Sequence, residues 1–154
     1  MCWQSNSIEQ LISDGKFKIF KICQIKSDSI IRSYYFDKFK YDLNKQYKTD
    51  IVIKKKEDFS KRSLFLNNPS EYYGFNGFHS YLNTCKCYEF GGVLLVYDTP
   101  EIILDEYSKE HYNLIMVEGY IPEGSIYCIN KHKEIISNSI VLTKIKVNYC
   151  KLST

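Results

Sequence analysis

The sequence predicts a single compact α+β domain, with a mainly antiparallel sheet and one or two short helices. Several short segments are rich in β-branched and aromatic residues and alternate between apolar and polar positions, as strands do. Helical patterns are few. No repeat, linker or change of composition divides the chain, so we expect residues 1–154 to form one domain.

The predicted elements follow from these patterns in chain order. Apolar residues within 8–12 have the spacing of a short amphipathic helical turn. Residues 16–26 alternate as a strand whose lysines face water, and the slip of phase at Ile19-Phe20 indicates a bulge. Ser80 can cap a second short helix that runs to about Phe90. Further strands are predicted over residues 47–53, 93–97, 114–121 and 140–147.

The composition restricts the partners that we expect. The chain has no alanine, and its 19 lysines accompany only 2 arginines, a bias typical of an A/T-rich genome. The net charge of +3 is therefore partly a codon effect, and nucleic acid is not an expected partner. No apolar run reaches the roughly 18 residues of a membrane helix, and no secretion signal opens the chain. We expect a cytoplasmic protein, in the host cytoplasm if it is viral.

The six cysteines do not have the spacing of a metal site. They form no CxxC pair, and Cys85 and Cys87 make a single CxC. We therefore predict free thiols, no metal and no cofactor. Cys23, Cys128 and Cys150 lie among apolar or strand-like residues and are predicted to be small buried hydrophobic side chains.

Three segments together carry a family resemblance. They are the start Met1-Cys2, the segment Gly77-Phe78-His79-Ser80, and the sequence IPEGSIY at residues 121–127. In this order they resemble a loose set of small uncharacterised proteins from bacteria and their phages. Glu123 departs from that pattern, which has a basic residue there. The resemblance implies a shared fold unit and a phage-like context, in which counter-defence is one role, but no reaction.

The segment 71–81, EYYGFNGFHSY, is the first candidate site. Its aromatic faces and hydroxyls in a glycine-rich setting suit a planar ligand, and nearby basic residues could neutralise a phosphate. The same aromatics could simply be core. The predicted ligand-binding residues are Tyr72, Tyr73, Phe75, Phe78, His79, Tyr81, Lys61 and Arg62. The first functional hypothesis is thus a small binding protein that sequesters a nucleotide-like small molecule or a host protein.

Cys2 and His79 are the candidate catalytic residues of an alternative hypothesis. If Met1 is removed, the α-amine of Cys2 could activate its own thiol, as in N-terminal nucleophile hydrolases and transferases, with His79 as proton donor. Cys2 could equally be an ordinary second residue, and His79 a helix cap. A third hypothesis is an interaction module that binds another protein, including its own copy. Whether the protein is an enzyme stays open at this stage.

Overall fold

The computed structural model describes residues 3–25, 28–33, 39–58, 70–82, 87–90, 93–96 and 114–148. Within these ranges the chain is nearly all β, with fifteen strands, one 3-10 turn at Lys56–Asp58 and no α-helix. The strands are β1 (Gln4–Ser5), β2 (Leu11–Ile12), β3 (Phe17–Ile25), β4 (Ile31–Ser33), β5 (Lys40–Tyr41), β6 (Gln46–Lys48), β7 (Val52–Lys55), β8 (Tyr72–Asn76), β9 (Phe78–Tyr81), β10 (Cys87–Phe90), β11 (Val93–Val96), β12 (Leu114–Ile121), β13 (Ile126–Ile129), β14 (Glu134–Ser137) and β15 (Ser139–Asn148). Nor does this part of the chain contain a helix long and apolar enough to cross a membrane.

These strands form two packed sheets and a separate hairpin. The large sheet has the order β2-β13-β14-β9-β3-β12-β15-β6, and β4 and β5 branch from β3 to make ten strands. The small sheet has the order β1-β8-β7, and β10 pairs with β11. The small sheet packs on the outer face of the large one, where Trp3 of the chain leading into β1 contacts Cys128 and Ile136. The result is a β-rich sandwich.

The large sheet is strongly curled, and its concave face holds the main core. Strand β6 is four positions from β9, which in a flat sheet would place them about 19 Å apart. Yet Tyr41 lies with its ring centroid 5.2 Å from that of Tyr47 in β6 and 6.4 Å from that of Phe78 in β9. Aromatic side chains thus fill the concave space. The fully buried aliphatic residues there are Ile19, Ile115, Val117, Ile121, Ile135, Ile140 and Leu142.

The predicted α+β class is wrong, because both predicted helices are strands. Ser80 lies inside β9 rather than at a helix cap, and residues 87–90 form β10. Along β9 the side chains alternate between the two faces of the sheet, and this favours strand pairing. The expected helical turn within 8–12 is also wrong, since Leu11 and Ile12 pair with β13 as β2.

Strand β3 confirms the predicted strand at 16–26 but not its details. Its register with β12 runs without interruption from Phe17 to Gln24, so the expected bulge is absent, and the register shifts fall between β12 and β15. The phase slip has another cause: β3 is buried on both faces and Lys21 points into the core, only 7% exposed. The expectation that every lysine of this strand faces water is therefore wrong for Lys21.

Of the remaining strand predictions, those at 114–121, at 140–147 and, over the described residues 93–96, at 93–97 fit closely. Strand β12 has the predicted bounds of 114–121, and β15 contains 140–147. The predicted strand at 47–53 is divided between β6 and β7. Cys23 and Cys128 are free and buried, as predicted, and Cys150 lies outside the described residues.

Candidate functional site

The predicted ligand-binding residues do not share one surface, because the chain changes sheets at Gly77. Strand β8 belongs to the small sheet and β9 to the large one. Gly77 has a φ of 135°, and a Cβ there would lie 2.5 Å from a side-chain carbon of Ile136, so the crossing requires glycine. In β9, Phe78 points into the concave core. His79 and Tyr81 face the other way, with ring centroids 5.2 Å apart.

Strand β8 separates the other predicted residues. Gly74 faces the large sheet, where a Cβ would meet Ile136, so alternation turns Tyr73 and Phe75 to the opposite face. Tyr73 is buried, whereas Phe75 is exposed, with Lys54 Nζ 5.0 Å from its ring centroid. Tyr72 is half-buried on the Gly74 side. The remaining predicted site residues, Lys61, Arg62 and Cys2, lie outside the described residues.

His79 belongs to a hydrogen-bond network that anchors the N-terminal segment. Its Nε2 lies 3.0 Å from Glu134 Oε2, and both side chains are about one fifth exposed. Asn130 Nδ2 contacts Glu134 Oε1 at 3.4 Å and donates to the carbonyl of Gln4 at 2.8 Å. Trp3 Nε1 donates to the carbonyl of Glu134 at 3.0 Å. The network positions β1, and it gives the protein a half-buried histidine–carboxylate pair.

Lys21 occupies a junction in the large sheet. On one side of β3 the partner strand changes along the described chain. Strand β9 pairs with β3 at Tyr81 and Phe20, and β4 pairs with β3 from Cys23 onward. Lys21 Nζ donates to the carbonyl of His79 at 2.6 Å and so links β3 to β9 next to their single described backbone pair. Burial lowers the pKa of Lys21, and it raises the pKa of the neighbouring Cys23 thiol to about 12.

A cleft of about 530 Å³ lies between the small sheet and β13. Its shape depends on the segment leading into β7, which hydrogen bonds hold in place. Thr49 N donates to the carbonyl of Asn138 at 2.9 Å, and Asn76 Nδ2 donates to the carbonyl of Asp50 at 2.6 Å. We call this cleft the interlayer groove. Its lining residues are Ile8, Gln10, Thr49, Asp50, Ile51, Ile53, Ile126, Cys128 and Asn138.

The interlayer groove combines an apolar lining with one carboxylate. Isoleucines and Cys128 supply the apolar surface, and burial raises the pKa of the Cys128 thiol, which keeps it neutral. The side-chain oxygen of Asn138 is already used, since Oδ1 accepts from Ile126 N at 2.9 Å. The Asp50 carboxylate, by contrast, is exposed and forms no hydrogen bond or ion pair with any residue that the structure describes. Among the lining residues it is the charged group, and it is available to pair with a ligand of opposite charge.

Sequence reasoning missed this groove because its residues come from four separate places in the chain. The local signal was the pair Ile51 and Ile53, which alternate beside Asp50, but nothing in the sequence joins them to Ile126 or Ile8. Among the residues with a described placement, no group of three or more His, Cys, Asp and Glu side chains could hold a metal ion.

No protein-family model matches the chain, and neither the curated proteins nor the solved structures searched gave a match.

Proposed function

We propose that the protein is a small binding module whose ligand lies in the interlayer groove and carries an apolar body and one cationic group. The observation that carries this proposal is the unpaired Asp50 carboxylate beside an apolar cleft. A volume of about 530 Å³ falls within the roughly 300–1,000 Å³ of typical ligand sites. The proposal keeps the class of binding protein that the sequence favours and moves the site away from the aromatic segment.

Charge distinguishes this ligand from the nucleotide that the sequence suggested. A phosphate would approach the Asp50 carboxylate against like charge, whereas an ammonium or guanidinium group would be attracted. Apolar contact supplies most of the binding free energy, at about 25 cal/mol per Å² of apolar surface removed from water. The ion pair is solvent-exposed, so it contributes selectivity of about 1 kcal/mol or less rather than the bulk of the affinity.

The test compares two amphiphiles of equal chain length and opposite charge. Octylammonium should bind the protein about fivefold more tightly than octanoate, in isothermal titration calorimetry at low ionic strength. Asp50→Asn should remove this preference while both affinities persist, because the apolar lining is unchanged. Asp42→Asn, at another exposed carboxylate, serves as the matched control and should keep the preference.

Ile53→Ser should weaken both amphiphiles, since it removes apolar lining. Equal binding of the two charges to the unmodified protein would contradict the proposed role of Asp50. Binding that Ile53→Ser leaves intact would place the ligand elsewhere and would overturn the groove itself.

A further inference from the structure

We propose, building on the proposed function, that the occupant of the groove is an extended polypeptide segment that pairs with the outer edge of β7. In the part of the chain that the structure describes, β7 has a partner strand, β8, on one side. Alternate N–H and C=O groups of a strand point to each side, so an edge strand presents a row of hydrogen-bonding groups to an added strand. Main-chain pairing would then supply affinity for any extended peptide.

The spacing of the groove residues fits a strand better than a compact molecule. Ile51 and Ile53, two positions apart, both line the groove. A strand that pairs beside them would direct every second side chain into the same space, because side chains of neighbouring strands share a face in register.

The outer face of the large sheet also offers apolar surface to such a strand. Among the described residues the small sheet has three strands, against ten in the large sheet. Ile12 is paired with Ile126 in the β2–β13 ladder, so the two share a face, and Ile12 is 67% exposed. Ile8, which lines the groove, is 43% exposed. A fourth strand next to β7 would cover part of this surface.

Asp50 defines the remaining feature of the partner. Its free carboxylate lies next to the alternating isoleucines, so it favours a lysine or arginine beside the apolar positions. The partner is therefore a short extended segment of another protein, with β-branched or aliphatic residues at alternate positions and a neighbouring basic residue. The ligand class of the groove is therefore an extended peptide of this pattern, and screening peptides with such sequences would identify the partner protein.

The experiment uses the peptide acetyl-Lys-Val-Thr-Val-Thr-amide and two variants that are N-methylated on alternate peptide nitrogens. N-methylation removes a donor and blocks strand pairing on one side only, while the side chains stay the same. One methylated variant should lose at least about tenfold in affinity, and the other, whose methyl groups face away from β7, should stay within about twofold. Amide shifts in an NMR titration should concentrate in residues 51–55.

The outcomes separate this inference from the proposed function. If both methylated peptides bind as tightly as the parent peptide, and Ile53→Ser weakens all three, the groove binds side chains without strand pairing and the inference fails. If octylammonium binds in the groove and no peptide does, the inference again fails and the proposed function stands. If neither binds, the proposed function fails as well. A homodimer that the peptide dissociates would show that a second copy occupies the edge, and would overturn the assignment to another protein.

Discussion

The two faces of the ten-stranded sheet accommodate a charged group in opposite ways. On the concave face, aromatic rings and isoleucines close around Lys21, whose Nζ has the His79 carbonyl as a fixed partner. On the outer face, the small sheet leaves a groove in which the Asp50 carboxylate stays in water. A buried charge is costly without a partner, whereas a solvated one is available to a ligand. The concave face therefore stabilises the fold, and the outer face is suited to binding.

Among the substitutions that compare the two faces, Gly119→Ala should lower the free energy of unfolding most. A Cβ at Gly119 would lie 2.2 Å from the carbonyl oxygen of Val141, a backbone atom of the paired strand β15. Strands β12 and β15 would have to separate at their register shift, and we expect a loss of about 3 kcal/mol or more in unfolding free energy. Urea denaturation measures this loss. Gly15→Ala is the control, because nothing lies within 4 Å of its added Cβ.

A loss below about 1 kcal/mol for Gly119→Ala would show that the β12–β15 ladder relaxes easily, and that the concave face is less tightly packed than the buried residues indicate.

Lys21→Met should change how stability depends on pH. Because the folded-state pKa of Lys21 lies below 10.5, the unfolded chain binds more protons between these two values, and stability rises with pH through that window. The slope is at most about 1.4 kcal/mol per pH unit. Cys23 and Tyr41 act in the opposite direction above about pH 9 to 10, since burial raises their pKa values. Both proteins keep Cys23 and Tyr41, so the difference between their unfolding free energies isolates Lys21. Measured from pH 6 up to pH 10.5, that difference should increase with pH in favour of the unmodified protein.

Lys18→Met provides the comparison for this measurement, because Lys18 is on the same strand but 61% exposed in its side chain. It should keep the unmodified pH dependence. Parallel profiles for Lys21→Met and the unmodified protein would mean that Lys21 stays protonated inside the core.

Ile51→Ala should have the smallest effect on stability. Ile51 lines an open groove and is only half-buried, so truncation should cost less than about 1 kcal/mol. Ile140→Ala, at a fully buried position of the concave core, should cost about 3 kcal/mol in the same thermal or urea assay. Equal losses at the two positions would show that the groove is as tightly packed as the core and has no room for a ligand.

The strands could be predicted where alternation or an apolar run is long, as in 16–26 and 114–121. The fold class could not be predicted, because Ser80 by itself resembles a helix cap. Its neighbours favour a strand instead, since Phe78 points into the core and His79 faces Glu134 on the opposite side. Lys21 could not be placed either, since its burial depends on a carbonyl 58 residues away. His79 was singled out from sequence as a ligand-binding and catalytic candidate, but its partner Glu134, 55 residues away, could not be named. Asp50 was missed because its significance comes only from isoleucines distant in sequence.

The bond from Trp3 Nε1 to the carbonyl of Glu134 spans 131 residues of sequence. Trp3, 2% exposed in the finished fold, cannot reach its site until the residues of β14 have left the ribosome. At roughly 5–20 residues per second, that interval lasts about 7 to 26 s. During this time the indole of a nascent chain stays without its native cover. Folding rates fall as contacts become more distant in sequence, so packing of Trp3 and the small sheet on the large sheet is a late and slow step of folding.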